Sequence, residues 1–273
     1  MAQYITENVK KITVSTIAKM KTAGEKIAML TAYDTTMARL VDEAGVDIIL
    51  VGDSAANTMA GYATTLPITL DEMKVYARGV VRGTKRALVV VDMPFGSYHT
   101  SVAEAVNHAV SLIKDTGCDA LKLEGGSEHI EVIRRYVECG IPVMGHLGLQ
   151  PQRVNAYGGF ALRATQQAEA EKLKSDARLL EEAGCFALVL EKIPASLAAE
   201  VAASLRIPVI GIGAGPEVDG QVLVLQDMLG MSGSFHPKFL RQYANLGEQI
   251  GHAVQHYADD VKQARFPSTE ESY

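Results

Sequence analysis

Short apolar runs alternate with longer amphipathic segments along most of the chain, and several of the apolar runs end in a carboxylate. The segments AGVDIILVGD, TGCDALKLE and AGCFALVLE share one template, in which a glycine, a very short turn, an apolar run and an acid follow one another. Glycine suits the left-handed position after a helix, and a continuous apolar run suits a parallel strand buried on both faces. The three segments therefore predict strands ending at Asp53, Glu124 and Glu191.

The alternation of apolar run and helix-length segment recurs about eight times. The predicted strands cover residues 27–31, 48–54, 87–91, 120–123, 141–146, 186–190, 207–211 and 222–225. This pattern predicts a parallel (β/α)8 barrel as a single domain over residues 1–273, with a doubly wound open sheet as the alternative. Apolar residues at helical spacing in residues 12–23 have no strand before them and predict an extra helix that closes one barrel end.

Polar residues mark the predicted starts of three helices. Asp34 is expected to cap a helix that runs to about Ala44. The capping-box patterns TLDE (69–72) and SVAE (101–104) predict two further helix starts.

Two long connections and the C-terminal tail complete the predicted organisation. Residues 55–67 and 148–165 are expected to be loops, and long loops in compact domains are usually functional. Residues 238–262 carry apolar side chains at three-to-four spacing, which predicts C-terminal helical structure with an apolar stripe. Such a stripe is typical of core packing or a subunit contact.

Composition excludes several kinds of partner. The 273 residues include 32 acidic and 26 basic side chains, for a formal net charge of −6. This balance argues against nucleic acids and membrane surfaces, which bind basic patches. No signal-peptide core and no apolar stretch of ~20 residues is found, so a soluble cytoplasmic protein is expected. Cys118, Cys139 and Cys185 lack CxxC spacing and are expected to be free, mostly buried thiols.

The carboxyl ends of the strands in a parallel barrel open on one rim, which holds the active site in enzymes of this fold. Asp53, Asp92, Glu124, His146 and Glu191 are all expected at that rim. A single strand-end carboxylate is often a helix cap, but four on one rim repel one another unless a cation neutralises them. An all-oxygen set without cysteine favours Mg²⁺ over zinc.

Lys122 lies two residues before Glu124, so strand alternation directs both side chains to the same face, which is expected to be the barrel interior. The lysine either neutralises the acids structurally or binds a substrate carboxylate or an enolate oxygen. His146 is as well explained by a structural hydrogen bond as by proton transfer. The glycine-rich segment 211–215 lacks G-x-G-x-x-G spacing, and close backbone packing is favoured there over a phosphate site.

Nine segments in the same order resemble the ketopantoate hydroxymethyltransferase family and span nearly the whole chain. They are LVGDS (50–54), TLPITLDEM (65–73), VVDMPFGSY (90–98), LKLEGG (121–126), GHLGLQPQ (145–152), VLEKIP (189–194), PVIGIGAG (208–215), DGQVLV (219–224) and PKFLRQYANL (237–246). The resemblance implies a Mg²⁺-dependent TIM barrel of the phosphoenolpyruvate/pyruvate superfamily type and a homo-oligomer, with a decamer suggested. It also implies hydroxymethyl transfer from 5,10-methylenetetrahydrofolate to α-ketoisovalerate (3-methyl-2-oxobutanoate), the first committed step toward pantothenate.

The resemblance also implies residue roles. The carboxylates implied to surround the metal are Asp53, Asp92 and Glu124. The residues implied to contact the keto acid are Asp53, Ser54, Asp92 and Lys122. Glu191 is implied as the acid/base residue of a reaction that passes through an enolate. The group that removes the C3 proton stays open among Glu191, His146 and a metal-bound hydroxide.

The sequence departs from the family pattern after Ser54 and in the next helix. Ala55-Ala56-Asn57 stands in place of Leu-Gly-Met, Ala63 in place of an acid and Ala77 in place of a histidine. These changes leave the metal acids intact and fall in the region expected to close over the site and dock folate.

Two alternative functions keep the barrel. One is a Mg²⁺-dependent carbon–carbon lyase or phosphonate mutase of the same superfamily, acting on a 2-oxo acid. Some lyases of that group carry a Cys-Gly-His motif, where this chain has Met144-Gly145-His146. The other is a catalytically silent barrel that binds a phosphorylated ligand at residues 211–215.

Overall fold

A computed structural model describes residues 10–233 and 236–273, and the chain divides into two compact units, one ending at Val224 and one spanning Leu225–Tyr273. In the first unit eight parallel strands pair in chain order, and the last pairs back with the first. The strands are β1 (Ile27–Thr31), β2 (Ile48–Val51), β3 (Leu88–Asp92), β4 (Ala120–Glu124), β5 (Val143–Gly148), β6 (Ala187–Glu191), β7 (Val209–Ile212) and β8 (Gly220–Leu223). The predicted closed barrel is confirmed, and the open sheet is wrong because the β1–β8 pairing leaves no sheet edge.

Helices lie between successive strands except between β7 and β8, which a loop connects. In the barrel unit they are α1 (Val14–Ala23), α2 (Thr35–Glu43), α3 (Ala55–Thr58), α4 (Leu70–Gly83), α5 (Val102–Thr116), α6 (Ile130–Glu138), α7 (Val154–Tyr157), α8 (Gln167–Glu182) and α9 (Ala195–Ser204). Short 3₁₀ turns cover Ser127–His129 and Pro151–Arg153. The second unit contains α10 (Leu225–Met228), α11 (Leu246–Lys262) and a 3₁₀ turn at Thr269–Glu271.

The barrel interior is filled by alternate residues of the strands, which form one apolar cluster with the residues around α1. Ile12 and Ile17 belong to this cluster, and the Ile12 N–H donates to Arg86 O at 2.8 Å, just before β3 begins. The segment that carries α1 therefore closes the end of the barrel at which the strands start. This confirms the predicted role of the N-terminal helix.

The predicted helix caps are present. The Asp34 carboxylate accepts from the Met37 N–H at 2.9 Å and caps α2. Thr69 and Glu72 form a reciprocal capping box at the start of α4. Ser101 caps α5 through the Glu104 N–H.

The loop predictions need two corrections. Residues 55–67 begin with α3 rather than running as loop throughout, and residues 148–165 include a 3₁₀ turn and α7. In α3 the Met59 N–H donates to Ala55 O, which closes one helical turn directly after Ser54. Both connections are therefore partly ordered by their own hydrogen bonds.

The tail helix is shorter than predicted. Helix α11 begins at Leu246, so Phe239 and Tyr243 lie outside it. The Tyr243 N–H donates to the carbonyl of Met228, the last residue of α10, and the Leu246 N–H donates to the carbonyl of the next residue, Leu229. These two N–H groups therefore do not bond to the carbonyls four residues before them, as they would in a longer helix. No residue of α11 is buried within the described chain.

The three cysteine side chains are free thiols in the described residues. Cys118 and Cys185 are free and buried, whereas Cys139 is free and exposed. Burial raises the pKa of the Cys185 thiol to about 12, as expected for a structural thiol.

In the part of the chain that the structure describes, no helix is both long and apolar enough to span a bilayer.

One buried carboxylate holds the connection into β3, and we expect Asp42→Asn to destabilise the protein. Asp42 on α2 accepts the backbone N–H groups of Lys85, Arg86 and Ala87 at 2.7 to 3.1 Å. An asparagine would turn an amide donor toward these donors, so the free energy of unfolding should fall by about 2–3 kcal/mol. Urea denaturation checks this. The neighbouring Glu43→Gln, on an exposed side chain, should shift the midpoint little.

Candidate active site

The strand ends of β3, β4 and β5 bring charged side chains into register at one rim. Asp92 is the register partner of Lys122, and Glu124 is the partner of His146. All four side chains are buried, with 3 to 4% of each residue exposed. Lys122 Nζ lies 2.8 Å from Asp92 Oδ1 and 3.4 Å from His146 Nδ1. The prediction that Lys122 and Glu124 share the interior face is confirmed.

Asp53 joins this group through the turn after β2. Its backbone N–H donates to Asp92 Oδ2 at 3.0 Å, and its side chain is buried. A Cβ at Gly52 would lie 2.6 Å from Ser54 Oγ, whereas its 3.6 Å distance to Asp92 Oδ2 is ordinary van der Waals contact. The glycine that follows β2 therefore leaves room for the Ser54 hydroxyl beside the two acids.

Burial and mutual repulsion raise the pKa of Asp53 well above its usual value, with Asp92 and Glu124 as the repelling charges. Burial also raises the pKa of Asp92, although the Lys122 ammonium opposes the shift. Burial alone would lower the pKa of Lys122, but the three surrounding carboxylates outweigh it and raise that pKa. Lys122 is therefore a permanent cation at neutral pH.

His146 lies between two carboxylates. Its Nδ1 is 3.5 Å from Glu124 Oε1 and its Nε2 is 3.5 Å from Glu191 Oε2. Burial and Lys122 lower the pKa of His146, but the two carboxylates prevail and raise it to about 9. The imidazole is therefore charged at neutral pH, and it links Glu191 at the end of β6 to the buried group.

Ser54 lies at the start of α3, where its hydroxyl is 2.8 Å from the hydroxyl of Tyr33. Tyr33 follows β1 and is buried. Burial raises the pKa of Tyr33 to about 12, so it stays a neutral phenol that orients Ser54. Tyr33 was not singled out from the sequence, since its neighbour Asp34 explained that position as a helix start.

Two further residues of the rim were not found from the sequence. Gln152, in the turn after β5, donates from its side chain to Asp53 Oδ2 at 2.9 Å and from its backbone to Glu124 Oε2 at 3.0 Å. Tyr98, after β3, donates its hydroxyl to Gln152 Oε1 at 2.7 Å. Both occur in the motifs VVDMPFGSY and GHLGLQPQ, but neither residue type predicts such a role alone.

The charges of the rim fit a divalent cation. When all four acids are ionised, as a bound cation requires, the carboxylates of Asp53, Asp92, Glu124 and Glu191 face the cations Lys122 and His146, which gives a formal charge of −2. Among the described residues, the buried Asp92 Oδ1 faces the Lys122 ammonium at 2.8 Å, an ionic contact. These hard oxygen donors suit Mg²⁺.

Across the described ranges, no three His, Cys, Asp or Glu side chains are arranged to hold a metal by themselves. Mg²⁺ commonly binds one or two protein carboxylates directly and completes its shell with water and substrate oxygens.

The glycine-rich segment after β7 packs tightly instead of forming an open cradle. A Cβ at Gly215 would lie 2.4 Å from the Cβ of Ala195, at the start of α9. A Cβ at Gly211 would lie 3.0 Å from Val218. These contacts support the interpretation of residues 211–215 as a close-packed backbone.

The residues expected to depart from the family pattern are mostly interior. Ala55, Ala56 and Ala77 are fully buried, so these side chains pack in the core and do not face solvent. Asn57 donates its side-chain amide to Tyr62 O at 2.8 Å and so ties down the loop after α3. Ala63 is exposed.

Solved structures establish the class of barrel. A phosphonopyruvate hydrolase, solved in complex with oxalate and Mg²⁺, superposes with a TM-score of 0.60 at 13% identity, covering 95% of this chain and 93% of that chain. A 2,3-dimethylmalate lyase of the PEP mutase/isocitrate lyase superfamily superposes with a TM-score of 0.60 at 16% identity, covering 95% and 90%. The protein is thus a (β/α)8 barrel with the fold of that superfamily.

Sequence comparison then defines the family. The model of the ketopantoate hydroxymethyltransferase family matches residues 11–269. Proteins named 3-methyl-2-oxobutanoate hydroxymethyltransferase from Bacteroides fragilis and Phocaeicola vulgatus are 59% and 60% identical over 273 residues, covering 100% of both chains in each case. The chain belongs to the ketopantoate hydroxymethyltransferase family, and it is therefore a transferase enzyme.

Proposed function

We propose that this enzyme transfers a hydroxymethyl group from 5,10-methylenetetrahydrofolate to 3-methyl-2-oxobutanoate, giving ketopantoate for pantothenate biosynthesis. The observation that carries the proposal is the buried group of Asp53, Asp92, Glu124 and Lys122 at the carboxyl ends of the strands. A 2-oxo acid offers two adjacent oxygens and a negative charge, which a cation held by these acids and the Lys122 ammonium would match.

Asp53, Asp92 and Glu124 are the residues proposed to hold Mg²⁺. When bound, the ion would stabilise the negative charge that develops on the keto oxygen as the C3 proton leaves. Lys122 is held against Asp92 and contributes a second fixed positive charge near the keto acid. Ser54, oriented by Tyr33, is a hydroxyl donor for the same substrate.

Glu191 is the proposed acid/base residue. Its carboxylate is more open than the buried acids, with 17% of the side chain exposed, and it faces protonated His146. A protonated imidazole has no free lone pair to accept a proton, so Glu191 rather than His146 would take the C3 proton. The enolate carbon would then attack the iminium form of the folate methylene. Water would then displace the folate nitrogen from the new CH2 carbon, forming the C–O bond as the C–N bond breaks, with tetrahydrofolate as the leaving group and Glu191 returning its proton to that nitrogen.

The cellular setting is part of the proposal. A role in small-molecule biosynthesis and the presence of free cysteine thiols agree with a cytoplasmic enzyme that binds neither nucleic acid nor membrane.

The exposed apolar residues of α11, which include Ile250, Val254 and Tyr257, are proposed as a contact between copies of the chain in a homo-oligomer.

Product formation tests the proposed reaction. Enzyme, Mg²⁺, 3-methyl-2-oxobutanoate and 5,10-methylenetetrahydrofolate should yield ketopantoate, detected by proton NMR through its new hydroxymethyl group. Omission of the folate or addition of EDTA should stop the reaction. Turnover that continues unchanged in EDTA would contradict the role proposed for the metal.

Metal binding is expected to release protons. The pKa of Asp53 is raised well above its usual value in the metal-free protein, so a fraction of this carboxyl stays protonated above the pH at which an exposed aspartate ionises. Mg²⁺ needs the carboxylate, so its affinity should fall as the pH is lowered. Calorimetry of Mg²⁺ binding in buffers of different ionisation enthalpy should show net proton release that shrinks as the pH rises. A pH-independent affinity without proton release would contradict this expectation.

A further inference from the structure

We infer that Gln152 is a positioning residue that holds two of the proposed metal carboxylates, Asp53 and Glu124, in one fixed arrangement, and that Tyr98 supports it. The inference rests on the proposed function, since it concerns the residues proposed to bind Mg²⁺. The turn Pro151–Arg153 places both the backbone N–H and the side-chain amide of Gln152 in the buried rim.

The backbone and the side chain of Gln152 contact different carboxylates. Its backbone N–H donates to Glu124 Oε2 at 3.0 Å, and its side-chain Nε2 donates to Asp53 Oδ2 at 2.9 Å. Asp53 comes from the turn after β2 and Glu124 from the end of β4, so no shared strand holds these two acids together. Gln152 therefore supplies a connection that the barrel hydrogen bonds do not.

The orientation of the Gln152 amide is determined by its neighbours. Nε2 also donates to Met93 O at 3.0 Å, and a backbone carbonyl only accepts. The nitrogen must therefore face Asp53 and Met93, which turns Oε1 toward the Tyr98 hydroxyl at 2.7 Å. The Tyr98 oxygen accepts in turn from the Glu124 N–H at 3.3 Å. These bonds close a ring through Glu124, Tyr98 and Gln152, and the Gln152 amide extends from that ring to Asp53.

A neutral donor has a distinct role among these acids. Asp53, Asp92 and Glu124 repel one another when ionised, and a second ammonium beside Lys122 would compete with a bound cation for their oxygens. An amide donates to a carboxylate without adding positive charge. Gln152 can thus orient the acids and leave their remaining oxygens available to a metal, as groups around a metal site commonly orient its ligands.

Metal affinity tests the inference. We expect Gln152→Met to weaken Mn²⁺ binding, measured by electron paramagnetic resonance on metal-free protein, by about 10–100-fold. The substitution keeps the side-chain volume and the backbone bond to Glu124 but leaves Asp53, Met93 O and Tyr98 without their Gln152 partner, so the thermal midpoint in EDTA should fall while the protein still unfolds cooperatively. Gln150→Met is the matched control, since Gln150 is buried in the same turn and its side chain donates to neither Asp53 nor Glu124 among the described hydrogen bonds.

Tyr98→Phe provides a second test that removes one hydroxyl. We expect several-fold weaker Mn²⁺ binding, and the loss in the double variant with Gln152→Met should be smaller than the two single losses combined, because Tyr98 bonds to Gln152 as well as to the Glu124 backbone. If Gln152→Met does not fold, the Tyr98→Phe affinity carries the test, and an unchanged value overturns the inference. Wild-type affinity in folded Gln152→Met overturns it as well. A wild-type protein that binds neither Mn²⁺ nor Mg²⁺ overturns the proposed function itself.

Discussion

Replacing Asp92 by alanine should abolish the Mg²⁺-dependent binding of 3-methyl-2-oxobutanoate. Asp92 pairs with Lys122 through Oδ1 and accepts the Asp53 N–H through Oδ2, so its loss leaves a buried ammonium and a buried amide without their partner. Residues around metal ligands typically contribute 10–100-fold to affinity, and a ligand should contribute more, so a loss above about 100-fold is expected. Calorimetric titration of the keto acid into the Asp92→Ala and wild-type proteins, with and without Mg²⁺, measures this loss of affinity.

Asp53→Ala should have the same effect, while Asp34→Ala provides the control. Asp34 also follows a barrel strand, but its carboxylate caps α2 through the Met37 N–H. Its loss should lower stability by about 1 kcal/mol and leave the Mg²⁺ and keto acid affinities unchanged. Asp92→Ala protein that still binds the keto acid in a Mg²⁺-dependent way would remove Asp92 from the site.

Glu191→Gln should keep substrate binding but lower kcat by about 10²–10⁴-fold, the usual contribution of a general acid or base. Glu191 contacts His146 at 3.5 Å but none of the three proposed metal acids in the described hydrogen bonds, so the Mg²⁺ and keto acid sites should survive the change. Steady-state kinetics combined with keto acid titration separates the two effects.

The surface variant Glu200→Gln is a control for Glu191→Gln. Glu200 lies on α9 and pairs with Lys174 at the protein surface, so its loss of charge should leave kcat unchanged. Turnover of Glu191→Gln equal to that of the wild type would exclude Glu191 from proton transfer. A large loss of keto acid affinity would instead indicate a role in binding.

The barrel and most of its rim could be predicted from the sequence because their causes are local. A strand buried on both faces is apolar throughout, so the change to a carboxylate at Glu124 or Glu191 marks the strand end directly. Parallel pairing then carries every such end to one rim, which explains why Asp92, Lys122 and Glu124 were expected together and lie together.

The roles of Gln152, Tyr98 and Tyr33 could not be predicted because they depend on contacts between distant segments. Gln152 is 99 positions from Asp53, and neither its residue type nor its spacing identifies that partner. The length of the C-terminal helix was overestimated for a similar reason. Its apolar spacing begins before Leu246, but hydrogen bonds to the end of α10 prevent the earlier residues from becoming helical.

Enolisation of the keto acid is the central claim, and hydrogen exchange at C3 measures it most directly. 3-Methyl-2-oxobutanoate is incubated in D₂O with the enzyme and Mg²⁺, with and without tetrahydrofolate, and its C3 proton is followed by NMR. We expect deuterium to replace that proton in a reaction that EDTA stops and that Glu191→Gln slows. Absence of EDTA-sensitive deuteration under both conditions would contradict the proposed enolate.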